Sequence, residues 1–136
     1  MRRGIHSQPR SLQEVVEAEK KVALCRRYAE EKKARDVVIL EVKGMTDLAD
    51  YFLISSGLTE RHVKTISEHI EKEMKARGIL PYSVEGMEQG RWVIIDYEDV
   101  VVHIFLERLR EFYDLESLWY EARRVRLENR KGVLEV

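Results

Sequence analysis

Two strand-forming segments joined by a short turn constrain the fold of this chain more than any other feature. Residues 91–95 and 99–105 are rich in β-branched and aromatic side chains, and residues 96–98 between them are typical of a tight connection. Together they predict an antiparallel hairpin. Residues 100–105 are apolar at positions of both parities, so we expect this strand to be covered on both faces of a sheet.

The remaining segments predict an α/β order around that hairpin. Ser11 begins a capping box, and a helix is expected from there to about Ala34. Apolar residues at steps of three and four predict a second, amphipathic helix between Thr59 and Gly78. Further strands are predicted at 36–42, 51–55 and 82–84, and helical segments at 106–113 and 115–119. The expected architecture is a mixed five-stranded sheet flanked by helices in a single α/β domain.

Length and composition limit the class of protein. The chain has 136 residues, the size of one domain, and 44% of them are apolar, which is enough for a packed core. Its single cysteine, Cys25, cannot form an internal disulfide. Apolar runs reach four residues, whereas a membrane-spanning helix needs about 20. The basic start has no apolar stretch after it and is not a secretory signal, so a cytoplasmic protein is expected.

Charge is distributed unevenly along the chain, although the net charge is only −1. Residues 1–10 and 121–136 are basic, and we expect them to be an extension and a tail on either side of a domain at residues 11–120. Residues 85–116 contain nine acidic and three basic residues and no lysine. A near-neutral chain is not typical of a protein that binds nucleic acid by bulk charge. The acidic window predicts either a basic partner or a solvated face without a partner.

One pattern resembles that of an enzyme, but only faintly. Ser56 and Gly57, followed by a helix and a later pair of acids, are similar to the nucleotidyltransferase arrangement, in which two carboxylates hold divalent ions over phosphates. The pair here is Asp96 and Asp99, three positions apart. Residues on one face of a strand are two apart, so these carboxylates should point in different directions. We therefore expect a tight turn at Ser55-Ser56-Gly57 and no catalytic pair.

The histidines and the cysteine do not form a catalytic or metal-binding pattern either. His62 and His69 lie two helical turns apart, too far to share a metal ion without another ligand between them. His103 lies within an apolar strand and is expected to be a hydrogen-bonded core residue. Cys25 lies in the middle of a predicted helix, without a base beside it. We predict no catalytic residues, no metal and no cofactor.

Aromatic residues cluster in or beside the acidic window. They are Trp92, Tyr97, Phe112, Tyr113, Trp119 and Tyr120. Phe112 and Trp119 are expected in the core. Trp92, Ile94 and Asp96 share one face of a strand, and an aromatic, an aliphatic and an acidic side chain together suit a protein contact surface. A binding module is therefore favoured over an enzyme.

Three segments in a fixed order carry a more specific pattern. They are residues 50–57 followed by Thr59, Arg61, His62 and Val63; residues 84–86 with 92–105; and residues 110–119. This pattern resembles the motifs of the ribosome silencing factors, also called Iojap-related proteins, over about residues 18–119. The resemblance implies a fold similar to that of nucleotidyltransferases without their catalytic carboxylates. It also implies binding to the large ribosomal subunit at a protein of its joining face, the one numbered fourteen. Bound there, a family member blocks docking of the small subunit and lowers translation when nutrients are short.

The resemblance also implies where the contact surface lies. Its residues would be Trp92, Ile94, Asp96, Tyr97, Asp99 and Val100. Trp92 and Ile94 would supply buried apolar area, and Asp96 and Asp99 would face Lys or Arg of the ribosomal protein. The alternatives are a factor that acts in assembly of the large subunit and a nucleotidyltransferase-like enzyme.

The chain also departs from the family pattern, at both ends. Residues 1–10 and the residues after Trp119 fall outside the common core that the resemblance implies. Their positive charge makes them candidates for a minor contact with ribosomal RNA. An uncovered sheet face is a candidate for pairing two copies of the free protein.

Overall fold

A computed structural model describes residues 12–119 and 122–124 of the chain. The strands are β1 (Arg35–Glu41), β2 (Tyr51–Gly57), β3 (Ser83–Glu85), β4 (Trp92–Asp96), β5 (Val100–Leu106) and β6 (Arg123–Arg124). The helices are α1 (Leu12–Glu31), α2 (Glu60–Ala76), α3 (Glu107–Tyr113) and α4 (Leu115–Leu118). None of the helices in the described ranges is long and apolar enough to cross a bilayer.

All strands belong to one mixed sheet, in the order β3-β4-β5-β2-β1-β6. β2 and β5 pair in parallel at its centre, and the other neighbouring strands pair antiparallel. The predicted mixed sheet and the predicted β4–β5 hairpin are therefore confirmed. β6 adds two residues of the segment expected to be a tail, with Arg124 opposite Leu40 of β1. The sheet thus continues past residue 120.

Helix α2 begins and ends where local sequence signals place it. The Thr59 hydroxyl accepts a hydrogen bond from the His62 backbone N–H at 3.0 Å, which caps the first turn. Gly78, with φ of 80°, lies just past the end in the left-handed conformation that glycine adopts without steric cost. The buried side chains of the helix are Val63, Ile66, Ser67, Ile70 and Met74. Their spacing confirms the predicted amphipathic helix.

The sheet divides the core into two apolar clusters. One face is covered by α1 and α2, and β4 contributes Val93 and Ile95 to it. The opposite face, here called the outer face, carries Trp92, Ile94 and Phe105 and is packed by residues that include Leu115 and Trp119. Every residue of β5 is buried, which confirms that this strand is covered on both faces.

The two aromatic residues expected in the core have different surroundings. Trp119 packs on the outer-face cluster and meets the Phe52 ring edge-on, with ring centroids 5.4 Å apart. Phe112 is 77% exposed, so its predicted place in the core is wrong. Helix α3 is only two turns long; Leu109 packs against the cluster under α1 and α2, and the Tyr113 ring lies against Trp92. The Phe112 ring stays exposed and contacts the neighbouring Tyr113 ring, with ring centroids 5.2 Å apart.

Candidate protein-binding surface on the outer face of the sheet

Trp92, Ile94 and Asp96 form a row of half-buried side chains on the outer face, here called the outer row. The alternation of β4 produces it, because successive side chains of a strand point to opposite faces. In the antiparallel register these residues lie opposite Phe105, His103 and Val101 of β5. The sequence-based prediction that the three residues share a face is confirmed.

The Trp92 indole is held in place by three neighbours. Its Nε1–H donates to Nδ1 of His103 at 3.1 Å. Its ring stacks on Phe105 with centroids 4.8 Å apart and lies 4.9 Å from the Tyr113 ring. Each contact removes rotamer freedom before any partner arrives, so little side-chain entropy remains to be lost on binding. A fixed, half-buried indole is the kind of residue that dominates the energy of protein interfaces.

His103 lies beside the outer row, on β5, as a neutral imidazole. Trp92 Nε1 can only donate, so Nδ1 of His103 accepts and the ring proton of the neutral form is on Nε2. Burial of the ring lowers the pKa of His103 from 6.5 to about 4, with the nearby Asp96 charge opposing the shift. Nε2 is buried and has no hydrogen-bond partner among the described residues. The prediction of a hydrogen-bonded core histidine is confirmed at Nδ1.

Asp96 ends the outer row at the turn of the hairpin. Its Oδ1 accepts a hydrogen bond from the Glu98 backbone N–H at 2.7 Å, and Glu98 has a positive φ of 79°. This side-chain cap tightens the turn and fixes the carboxylate. Glu85, exposed on β3, lies opposite Ile94 in the register of the sheet. The apolar part of the row is thus bordered by negative charge.

The other three predicted contact residues are in the interior. Tyr97 is 3% exposed and Val100 is fully buried, both within the cluster under α1 and α2. Asp99 is 9% exposed, and its carboxylate binds the Lys21 ammonium of α1 at 2.7 Å. The expectation that Asp99 faces a partner's cation is therefore not met by this geometry, because its charge already has a counterion inside the protein. These three residues support the outer row and do not extend it.

Asp99 also joins the turn of the hairpin to the start of β2. Its backbone carbonyl accepts hydrogen bonds from the N–H groups of Asp50 at 2.8 Å and Tyr51 at 3.1 Å. The Tyr51 hydroxyl in turn donates to Glu19 of α1 at 3.3 Å. Sequence reasoning missed Lys21 as the partner of Asp99. A lysine one helical turn before Cys25, next to the apolar face of α1, was the signal that could have identified it.

The region that resembles a nucleotidyltransferase site is occupied by the protein's own side chains. The Arg110 guanidinium donates to Ser56 Oγ at 3.0 Å and to the Asp36 carbonyl at 2.7 Å. It also pairs with both carboxylate oxygens of Glu116, at 3.0 and 3.2 Å. A Cβ on Gly57 would lie 2.9 Å from the Val63 backbone nitrogen, so the strand enters α2 by a tight turn. Asp96 and Asp99 diverge to opposite faces, as their spacing predicted.

Among the described residues, His62 and His69 connect the two long helices to each other. His62 accepts from the Leu58 N–H at 2.9 Å through Nδ1, and its Nε2 bonds the Lys32 carbonyl at 2.8 Å. His69 pairs with Glu31 at 2.8 Å. Over residues 12–119 and 122–124, no three metal-ligating side chains of the His, Cys, Asp and Glu types come together. Both histidines therefore have structural contacts in the protein.

The chain is similar in sequence and in structure to known proteins. A family model described as "Ribosomal silencing factor during starvation" matches residues 15–135. The "Ribosomal silencing factor RsfS" of Halalkalibacterium halodurans is 46% identical over 99 residues, which are 73% of this chain and 85% of that protein. A crystal structure of a protein from Chromobacterium violaceum is similar to this chain, with a TM-score of 0.73 and 31% sequence identity. The aligned region covers 82% of this chain and 88% of that protein's chain.

Two further observations refine these similarities. A mouse protein named "Mitochondrial assembly of ribosomal large subunit protein 1" is 33% identical over 89 residues, 63% of this chain and 39% of the mouse protein. The family model continues to residue 135, so the expectation that the family pattern ends near Trp119 is wrong. The names of the matched proteins describe silencing and assembly of ribosomes and no chemical reaction.

Proposed function

This chain belongs to the ribosomal silencing factor family, and we propose that it represses translation by binding the large ribosomal subunit and blocking its joining to the small subunit. Members of this family are regulatory factors and not enzymes. The mechanism is steric, because one surface of the large subunit cannot hold two occupants. The repression is expected when nutrients are short, because the family description contains the words "during starvation". Because bacterial ribosomes are in the cytoplasm, a family member that binds them in a bacterium is expected to act in the cytoplasm.

The observation that carries this proposal is the outer row of Trp92, Ile94 and Asp96. It combines a fixed indole, a half-buried aliphatic side chain and a carboxylate, beside further acidic residues of the window at 85–116. Such a surface fits a basic protein with an apolar patch. We propose that the partner is the protein numbered fourteen of the large subunit, as the resemblance implies. Tyr97, Asp99 and Val100 contribute to this contact by supporting the hairpin from within.

The experiment is co-sedimentation of the purified protein with isolated large and small ribosomal subunits. The wild-type chain is expected to sediment with large subunits only. Asp96→Asn keeps an oxygen that can accept from the Glu98 N–H but removes the charge, and about a tenfold loss of affinity is expected. Glu68→Gln is the matched control, because Glu68 is exposed on α2, on the other side of the sheet.

The outcomes separate the steps of the proposal. Binding of the wild type to large subunits that still join small subunits would contradict the steric mechanism. Equal affinity of Asp96→Asn and Glu68→Gln would contradict the outer row as the contact surface. Trp92→Ala is less informative, because Trp92 also covers Phe105 and its loss is expected to destabilise the fold.

A role in assembly of the large subunit is the second candidate, favoured by the similarity to the mouse assembly protein. It requires the same surface, so the variants above do not separate it from silencing. Cells that lack the protein distinguish the two. Accumulation of incomplete large subunits supports assembly, whereas normal subunits with unrestrained translation in starved cells support silencing.

A further inference from the structure

One corner of the molecule carries basic side chains that the proposed contact with a ribosomal protein does not use. Lys32 and Lys33 follow the end of α1, Arg35 begins β1, and Arg61 lies in the first turn of α2; all four are exposed. We call them the basic corner. The His62 ring brings the two helix ends together through its bond to the Lys32 carbonyl at 2.8 Å.

Within the described part of the chain, none of the four basic side chains of the corner forms an ion pair. Three acidic residues at the adjoining helix ends have other partners: Glu30 pairs with Arg26, Glu31 with His69 and Arg27, and Glu60 with Arg91. Asp36 is exposed next to Arg35 and offsets one of the four positive charges. The corner is therefore a local concentration of positive charge on a chain whose net charge is −1.

The backbone holds one of these lysines in a conformation that favours glycine. Lys33 has φ of 62°, and the turn is closed by hydrogen bonds from Lys33 N–H to the Glu30 carbonyl at 2.9 Å and from Ala34 N–H to the Ala29 carbonyl at 3.1 Å. Glycine is the usual residue at this position after a helix, because a Cβ is strained there. A lysine at this position makes the fold less stable than a glycine would, but it adds a positive charge to the surface. This is consistent with a use for that charge.

Arg35, the one member of the basic corner that lies in a strand, is on the same row of the sheet as Trp92. Trp92 is opposite Phe105, Phe105 is opposite Ser56, and Ser56 is opposite Arg35 in the register of the four strands. Three strand spacings separate Trp92 from Arg35, about 14 Å. Two surfaces this close, one acidic and aromatic and one basic, can contact two neighbouring components of one assembly at the same time.

We infer that the basic corner binds RNA phosphates on the large ribosomal subunit while the outer row binds the ribosomal protein. The inference rests on the proposed function, because the RNA is the negatively charged component next to any protein on that subunit. Lysine and arginine bind phosphates by releasing counterions, without reading the base sequence. The basic corner thus adds affinity and fixes the orientation of the protein, and the outer row supplies specificity.

The test is the salt dependence of binding to purified large subunits. The corner variant combines Lys33→Gly with Arg35→Gln, and the matched control combines Lys72→Gln with Lys75→Gln, exposed on the C-terminal part of α2. The slope of log affinity against log salt is expected to become shallower by about 1.4–1.8 in the corner variant, since each phosphate contact contributes about 0.7–0.9. The control is expected to keep the wild-type slope.

Folding is separated from binding by the choice of substitution. Lys33→Gly relieves the strained φ, so the melting temperature of this single variant should not fall while its affinity for the subunit does. If the corner variant keeps the wild-type slope and affinity, the inference is overturned and the proposed function stands. If the wild-type chain does not bind large subunits at all, both are overturned.

Discussion

Removal of the Asp99 carboxylate tests whether this residue supports the hairpin or contacts a partner. The Asp99 carboxylate and the Lys21 ammonium are 2.7 Å apart, and their side chains are only 12% and 21% exposed. Loss of one partner of a fully buried pair costs about 3–5 kcal/mol, whereas an exposed pair contributes about 0–1 kcal/mol. The Lys21 ammonium retains access to water, so Asp99→Ala should lower the free energy of unfolding by about 2 kcal/mol. In a domain of this size the melting temperature should fall by about 8 °C.

The assay is thermal and urea unfolding of four variants beside the wild type. Asp99→Ala and Lys21→Met should both be destabilised, and the exchange of the two charges in Lys21→Asp with Asp99→Lys should recover part of the loss. Glu68→Ala, which removes an exposed carboxylate from α2, should change the free energy of unfolding by less than about 0.5 kcal/mol. An Asp99→Ala protein with unchanged stability that no longer binds large subunits would refute the reasoning, because Asp99 would then act on the partner directly.

Two further predictions concern the pH dependence of stability and the backbone beside Trp92. The pKa of the His103 imidazole is about 4 in the folded protein and ordinarily 6.5. Between pH 4 and pH 6.5 the imidazole is therefore protonated in the unfolded chain and neutral in the folded protein. Stability should therefore decrease as pH falls from 6.5 to 4, and melting curves of His103→Gln should show a smaller decrease; an identical decrease would contradict this. Gly86→Ala would place a Cβ 2.0 Å from the Trp92 carbonyl, whereas Gly78→Ala meets no atom within 4 Å at a similar φ. Urea unfolding should show a loss of at least about 2 kcal/mol for Gly86→Ala and about 1 kcal/mol for Gly78→Ala, and equal losses would contradict the close contact.

Periodicity predicted most of the fold because each element carries its own local signal. The apolar residues of α2 recur at helical spacing, and its cap and terminal glycine lie beside them in the sequence. The β4–β5 hairpin has strand-forming residues on both sides of a short turn. The same alternation predicted the outer row, since residues two apart on a strand share a face.

Contacts between distant elements could not be predicted in this way. Asp96 and Asp99 are both acids at one turn, and only the position of α1 decides that Asp99 meets Lys21. Phe112 was expected inside because it is aromatic, but α3 is short and packs a different side chain on the core. The strand β6 comprises two arginines, whose residue type predicts no strand; its pairing with β1 is a tertiary contact.

The parallel pairing at the centre of the sheet has a consequence for how the protein is made. Tyr51 of β2 is opposite Val100 of β5, which is 49 positions later in the chain. Pairings this distant form slowly, because a long loop must close before any contact compensates for the lost entropy. The β1–β2 and β4–β5 pairs close over shorter loops, so we expect each pair to form first. The pairing of β2 with β5, which joins the two pairs into one sheet, is expected to form late. The surface on β4 therefore reaches its final surroundings only when nearly the whole domain has left the ribosome that synthesises it.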